Sequence, residues 1–114
     1  MSILNSFISS VGASPSVIRM SGDGDDIIIG DADTTFHASA DNNIAIGIDA
    51  LDATSGTALR NIAIGTNAGT AITDGDDNVV IGHNSYDAGT TGVGNIAIGT
   101  HSLSAAVIGS IYNV

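Results

Sequence analysis

One five-residue pattern recurs along the chain at an almost fixed interval, and that interval constrains the fold more than any other feature. Asn43-Ile44-Ala45-Ile46-Gly47 returns as Asn61-Ile62-Ala63-Ile64-Gly65, Asn78-Val79-Val80-Ile81-Gly82 and Asn95-Ile96-Ala97-Ile98-Gly99. A divergent first copy reads Asp26-Ile27-Ile28-Ile29-Gly30, and the glycines are spaced 17, 18, 17 and 17 residues apart. Units this short cannot bury a hydrophobic face alone; they gain a core only by stacking on their neighbours. Alternation of large and small side chains has strand period. Small residues also recur three and six positions after each Gly but the first, as Ala50, Ala68, Ser85 and Ser102 and as Ala53, Ala71, Ala88 and Ala105; the first copy has Asp33 and Phe36 there.

The expected fold is therefore all-β: a parallel β-roll, or β-solenoid, of about five 17–18-residue rungs. Each rung is read as two short strands and a turn. Ile44 and Ile46 share one face, so the isoleucine columns are read as the core and the alanines as a second, thin face. On that reading Ile64→Asp would place an unpaired charge in the core and unfold the roll. At ~4.8 Å per strand the rungs rise only ~20–25 Å. Residues 21–114 form the repeat domain, residues 105–114 a closing partial rung, and Tyr112 falls where a sixth Asn would be. So thin a core predicts a homo-oligomer.

Composition agrees with this reading and excludes others. All twelve acids are Asp, the only bases are Arg19 and Arg60, and the formal net charge is −10 over 114 residues. Lys and Glu, both good helix formers, are absent, which argues against a helical bundle. Asp, Gly and Asn favour turns. With no Cys there is no disulfide scaffold or zinc–thiolate site. Two Arg are too few to neutralise a phosphate backbone, so nucleic acid is not an expected partner. No window is apolar enough for a membrane helix. Residues 1–20 lack a basic, unbroken signal sequence and are read as an N-terminal arm. Its apolar side chains Ile3, Leu4, Phe7, Ile8 and Val11 are candidates for docking on a partner. Arg19 is a candidate anchor to an acidic patch, or simply a solvated base.

The Asn-Ile-Ala-Ile-Gly-x-x-Ala repeats, over residues 26–109, resemble the head repeats of trimeric autotransporter adhesins. They are more similar still to the Asn-x-Ala-Ile-Gly-x-x-Ala repeats of bacteriophage fibre and virion proteins. The resemblance implies a homotrimer of left-handed parallel β-rolls with a structural or adhesive role, not an enzyme. In that family pattern Asn43, Gly47, Asn61, Gly65, Asn78, Gly82, Asn95 and Gly99 are structural repeat positions. No stalk, anchor or fibre tip accompanies the roll, so the expectation is a small virion protein. A capsid cement or decoration protein on the shell exterior, contacting the major capsid protein or another virion protein, fits best. The alternative is a tail-fibre or adhesin head module for host attachment; an assembly chaperone or trimerisation cap is a third.

Other motifs in the chain have simpler roles open to them. Ser21-Gly22-Asp23-Gly24-Asp25-Asp26 resembles one RTX-type calcium nonapeptide, and Asp74-Gly75-Asp76-Asp77 repeats the local theme. Calcium takes several oxygen ligands, so Asp23, Asp25, Asp26, Asp74, Asp76 and Asp77 are weak candidate ligands, against a simpler role as solvated acidic turns. No other cofactor is expected. The Asn column is read as a structural corner whose stacked amides hydrogen-bond along the axis. His37, His83 and His101 share no column. The Ile-Gly-x-x-Ala pattern also touches the hexapeptide of left-handed β-helix acyltransferases, but those carry three hexapeptides per coil and this chain one. Thr34-Thr35 and Thr90-Thr91 do not form the regular Thr column of an ice-binding solenoid.

Overall fold

The protein was analysed as a computed structural model describing residues 6–8, 16–20, 26–31, 40–54, 57–105, 109 and 111–114. Seven strands form one sheet in chain order: β1 (Ser6–Ile8), β2 (Ser16–Met20), β3 (Ile27–Asp31), β4 (Ile44–Gly47), β5 (Ile62–Ile64), β6 (Val79–Ile81) and β7 (Ile96–Ile98). The strands β3 to β7 are parallel and in register, with Ala45 beside Ala63 and Ile46 beside Ile64. They are the repeats, wound into a β-solenoid of about four turns. The two N-terminal strands depart from the winding: β2 is antiparallel to β3, and β1 antiparallel to β2.

Among the described residues each coil contains one strand, not the two expected. The second half of the repeat is a chain of turns, because two positions per coil take left-handed backbone. One is the second residue after Gly: Asp49, Asn67, Asn84 and His101, with φ of 53°, 57°, 50° and 58°. The other is the fourth: Leu51, Gly69, Tyr86 and Leu103, with φ of 54°, 60°, 48° and 50°. Left-handed residues interrupt an extended strand. The coils still bond to one another there, turn to turn. Leu51 N–H donates to Ala68 O, Gly69 N–H to Ser85 O and Tyr86 N–H to Ser102 O, at 3.0, 2.9 and 2.9 Å. A third left-handed column, Asn42, Arg60, Asp77, Gly94 and Tyr112, stands just before each ladder Asn. The corner is thus made by the preceding residue and not by the Asn.

The inside and outside of the sheet are reversed from the expectation. Ile28, Ala45, Ala63, Val80 and Ala97 point inward and are buried. The isoleucines beside them face outward and are half-buried or exposed. The reason lies across the coil, where Leu51, Ile72 and Tyr86 reach in from the turn wall and are fully buried. The interior also holds the Asn side chains, so only a small residue fits on the sheet side. Along the turn wall volume is exchanged within each coil. Leu51 goes with Thr54, Gly69 with Ile72, and Tyr86 with Gly89. A Cβ on Gly69 would stand 3.0 Å from Ile72 Cδ1, and one on Gly89 would enter the Tyr86 ring. Close packing of an interior requires such compensation.

Candidate functional site

The Asn column is the spine of the solenoid. Asn43, Asn61, Asn78 and Asn95 are fully buried. The Oδ1 of each accepts two bonds from the next coil, one from the backbone N–H and one from Nδ2. Asn61 donates to Asn43 Oδ1 at 2.9 and 3.1 Å. Asn78 donates to Asn61 Oδ1 at 3.0 and 2.9 Å, and Asn95 to Asn78 Oδ1 at 2.9 and 3.0 Å. The second Nδ2 proton crosses the coil to Ala58 O, Gly75 O or Gly92 O. In the fourth coil the phenol of Tyr86 accepts it instead, from Asn95 at 3.1 Å. Every polar atom of Asn61 and Asn78 is thereby used, as burial demands.

The ends of the ladder explain two departures from the repeat. Asp26 heads it, and its Oδ1 accepts from Asn43 N–H at 2.7 Å and Nδ2 at 3.2 Å. At this end only acceptor capacity is needed toward the next coil, and a carboxylate supplies it. At the other end the sixth rung is Asn113, not Tyr112. Asn113 donates to Asn95 Oδ1 through its N–H at 3.0 Å and its Nδ2 at 2.8 Å. Tyr112 occupies the left-handed corner before it, and its ring lies over Gly94. The repeat glycines serve close approach. A Cβ on Gly47 would lie 2.6 Å from Gly65 O, and one on Gly65 2.8 Å from Gly82 O.

The second acidic cluster is engaged with protein groups. Asp74 accepts from Thr57 N–H at 3.1 Å and Asp76 from Leu59 N–H at 2.8 Å, each capping the coil before its own. Asp77 takes both Arg60 Nε and Nη2, at 2.6 and 3.0 Å. The hydrogen bond from Arg60 holds the Asp77 carboxyl below its ordinary pKa, and the same bond raises that of Arg60. Among the described residues no three His, Cys, Asp or Glu side chains converge on a metal-sized space. Asp23 and Asp25 lie outside the described residues, as does His37. His83 and His101 are exposed neighbours on successive coils, their rings edge to face at 5.8 Å.

Of the arm residues, Phe7 and Ile8 lie on β1 and Arg19 on β2, where Arg19 is paired with Ser6 on one side and Ile28 on the other. Ile3, Leu4 and Val11 fall outside the described residues.

What remains for function is the outer face of the sheet. Two in-register columns cover it: Ile27, Ile44, Ile62, Val79 and Ile96, and beside them Ile29, Ile46, Ile64, Ile81 and Ile98. Stacking along the axis half-buries the central members, while Ile29, Ile96 and Ile98 are 37%, 39% and 64% exposed. No charged residue lies within β4 to β7. The chain matches no family model, no curated protein and no solved structure. The molecule's own geometry therefore carries the argument.

The orientation of this face was available from the sequence by parity. Asn43, Ala45 and Gly47 are two residues apart and must share a side of the strand. Once the Asn is placed inside, Ala follows and the isoleucines turn out. The Tyr86 acceptor had a fainter signal: the only Tyr in a full repeat stands three residues before a Gly with room for its ring.

Proposed function

We propose that this chain is a non-enzymatic structural protein of a bacteriophage virion, assembled as a homotrimer of left-handed β-solenoids that cements the capsid from outside. The observation that carries the reading is the uncharged aliphatic outer face, on a chain whose interior is largely alanine. Full burial of a large aliphatic is worth ~1.5–3 kcal/mol, and only three of these ten side chains are exposed, so covering what is left of the two columns gives at most about 6–12 kcal/mol per copy. Association itself costs about 4–15 kcal/mol. The face holds an assembly only if most of it is covered, which favours a closed symmetric arrangement over a glancing contact. The repeat's resemblance to phage virion proteins supports the virion setting and the threefold state. Acidic turns would then face water, and the arm would fasten the assembly to capsid subunits through Ile3, Leu4, Phe7, Ile8, Val11 and Arg19.

Light scattering on the purified chain should give three times the monomer mass; a monomer would refute the assembly. Deleting residues 1–15, which leaves β2 on β3, should abolish capsid binding without changing that mass. Unchanged capsid occupancy would overturn the docking role of the arm. Copy number per virion separates cement from the second reading, a fibre or adhesin head. Hundreds of copies are expected for cement and a few trimers for a fibre. The fibre reading draws its support from the same repeat resemblance, which extends to phage fibre proteins and adhesin heads.

A further inference from the structure

His83 and His101 stand in different columns of the repeat, the first residue after Gly82 and the second after Gly99. The winding nevertheless brings them together. The two residues are tied at the backbone, where His101 N–H donates to His83 O at 3.0 Å. Their rings lie edge to face with centres 5.8 Å apart, and both residues are exposed. Among the described residues neither ring has a hydrogen-bond or ion-pair partner.

Backbone geometry accounts for only one of the two. His101 takes the left-handed corner, φ 58°, that Asp49, Asn67 and Asn84 take in the other coils. Asn, Asp and His are the side chains that accept it most readily. His83 has no such reason: its φ is not positive, and its column otherwise holds Ile48, Thr66 and Thr100.

Distance and chemistry say what the pair can hold. An imidazole nitrogen lies about 1.1 Å from its ring centre and about 2.1 Å from a bound metal, so two rings on one tetrahedral ion have centres about 5.2 Å apart. The observed 5.8 Å comes within that reach when one exposed ring turns its nitrogen toward the other, a motion that surface side chains make freely. Imidazole suits zinc, nickel and copper, whereas calcium and magnesium take oxygen donors. The net charge of −10 concentrates cations of any kind at the surface.

We propose that His83 and His101 form a two-point site for a divalent transition-metal ion of the zinc, nickel and copper class, with water in the remaining positions. The site lies within one chain and goes beyond the assembly proposed above, standing whether or not that assembly forms. The bound ion ties the coil that follows β6 to the coil that follows β7 from outside. In the unfolded chain the two side chains are 18 residues apart, and closing that loop costs entropy, so the ion binds the folded state and stabilises it. Two protein ligands are fewer than a closed structural zinc site uses, so the ion binds reversibly and a chelator removes it.

The test is calorimetric titration of the untagged chain with zinc chloride, beside melting followed by circular dichroism. Both are repeated on His83→Thr and His101→Asn, each of which installs the residue that the same column carries in another coil and so keeps the fold. The wild-type chain should bind one ion per chain that both variants lose. Removing a group that merely orients a metal ligand costs about 10–100-fold in affinity, so removing either of the two ligands should cost about 100-fold or more. Zinc should raise the Tm of the wild-type chain and leave that of each variant unchanged, and excess calcium should not displace it. No zinc binding by the wild-type chain would overturn the proposal. So would binding that survives in either variant or yields to calcium, which places the ion on one His or on the acidic turns. One ion per three chains would overturn it as well, since that puts copies of one His around a symmetry axis.

Discussion

Replacing Asn61 by Ala removes one rung of the buried ladder, and the structure sets the size of the effect. The side chain makes four hydrogen bonds: it accepts from Asn78 N–H and Nδ2, and donates to Asn43 Oδ1 and Gly75 O. After truncation Asn43 Oδ1 still accepts from the Asn61 backbone, and Asn78 Nδ2 still donates to Gly92 O. Asn78 N–H loses its acceptor, and Gly75 O loses its side-chain donor. Each orphaned buried group costs about 1–3 kcal/mol, and the two partial losses add to that, for a total of about 3–6 kcal/mol. A domain of this size holds about 5–15 kcal/mol in all, and the Tm should fall by at least ~12 °C. The control is Asn113→Ala. It makes the same two bonds to Asn95, but at the half-buried end of the ladder. Water replaces the lost partners there, and about 1 kcal/mol is expected. Urea denaturation followed by circular dichroism reads both. If Asn61→Ala costs no more than Asn113→Ala, the ladder is ornamental and the argument from buried polar satisfaction fails.

Further outcomes follow from the same geometry. Ile64→Asp should leave the monomer fold intact by circular dichroism while lowering the assembled mass. Ala63→Leu, an inward position with 0% exposure, should cost ~1–3 kcal/mol or more by overpacking; the opposite ranking in thermal melts would restore the isoleucines to the core. Gly47→Ala should be far worse than Gly99→Ala. Both have positive φ, 136° and 121°, but only the first drives its Cβ into the backbone of the next coil; equal losses in chemical denaturation would refute the stacking argument. Burial raises the pKa of Tyr86 above 10.0. The unfolded chain therefore deprotonates first, and stability that is full below about pH 10 is lost as pH rises toward the folded value. Tyr86→Phe should remove that alkaline loss, at about 1 kcal/mol for the bond from Asn95, as read from urea midpoints across the alkaline range.

The Arg60–Asp77 pair gives a smaller dependence of opposite sign. Asp77 is held below its ordinary pKa by the bond from Arg60, so its contribution is present at neutral pH and disappears as pH falls through the lowered value. Both side chains are about half exposed, and exposed pairs contribute little.

Sequence periodicity alone determined the coil length, the parallel register and the Asn spine. Stacking at a fixed period places identical positions side by side, and only a residue that both donates and accepts can serve every rung. Which face of the strand is inside follows only through the Asn, by parity, and not from hydrophobicity. Large and small residues alternate, and hydrophobicity alone favoured Ile44 and Ile46 for the core. The opposite wall decided otherwise: Leu51, Ile72 and Tyr86 arrive there through left-handed turns and take the volume that isoleucine would need. Nor did the repeat itself indicate how the ends would close. The antiparallel strands beside β3, and the Asn113 rung bonded to Ile96 N–H beside β7, depend on what lies next to a strand in space, and a periodic sequence specifies that only where another copy of the period follows.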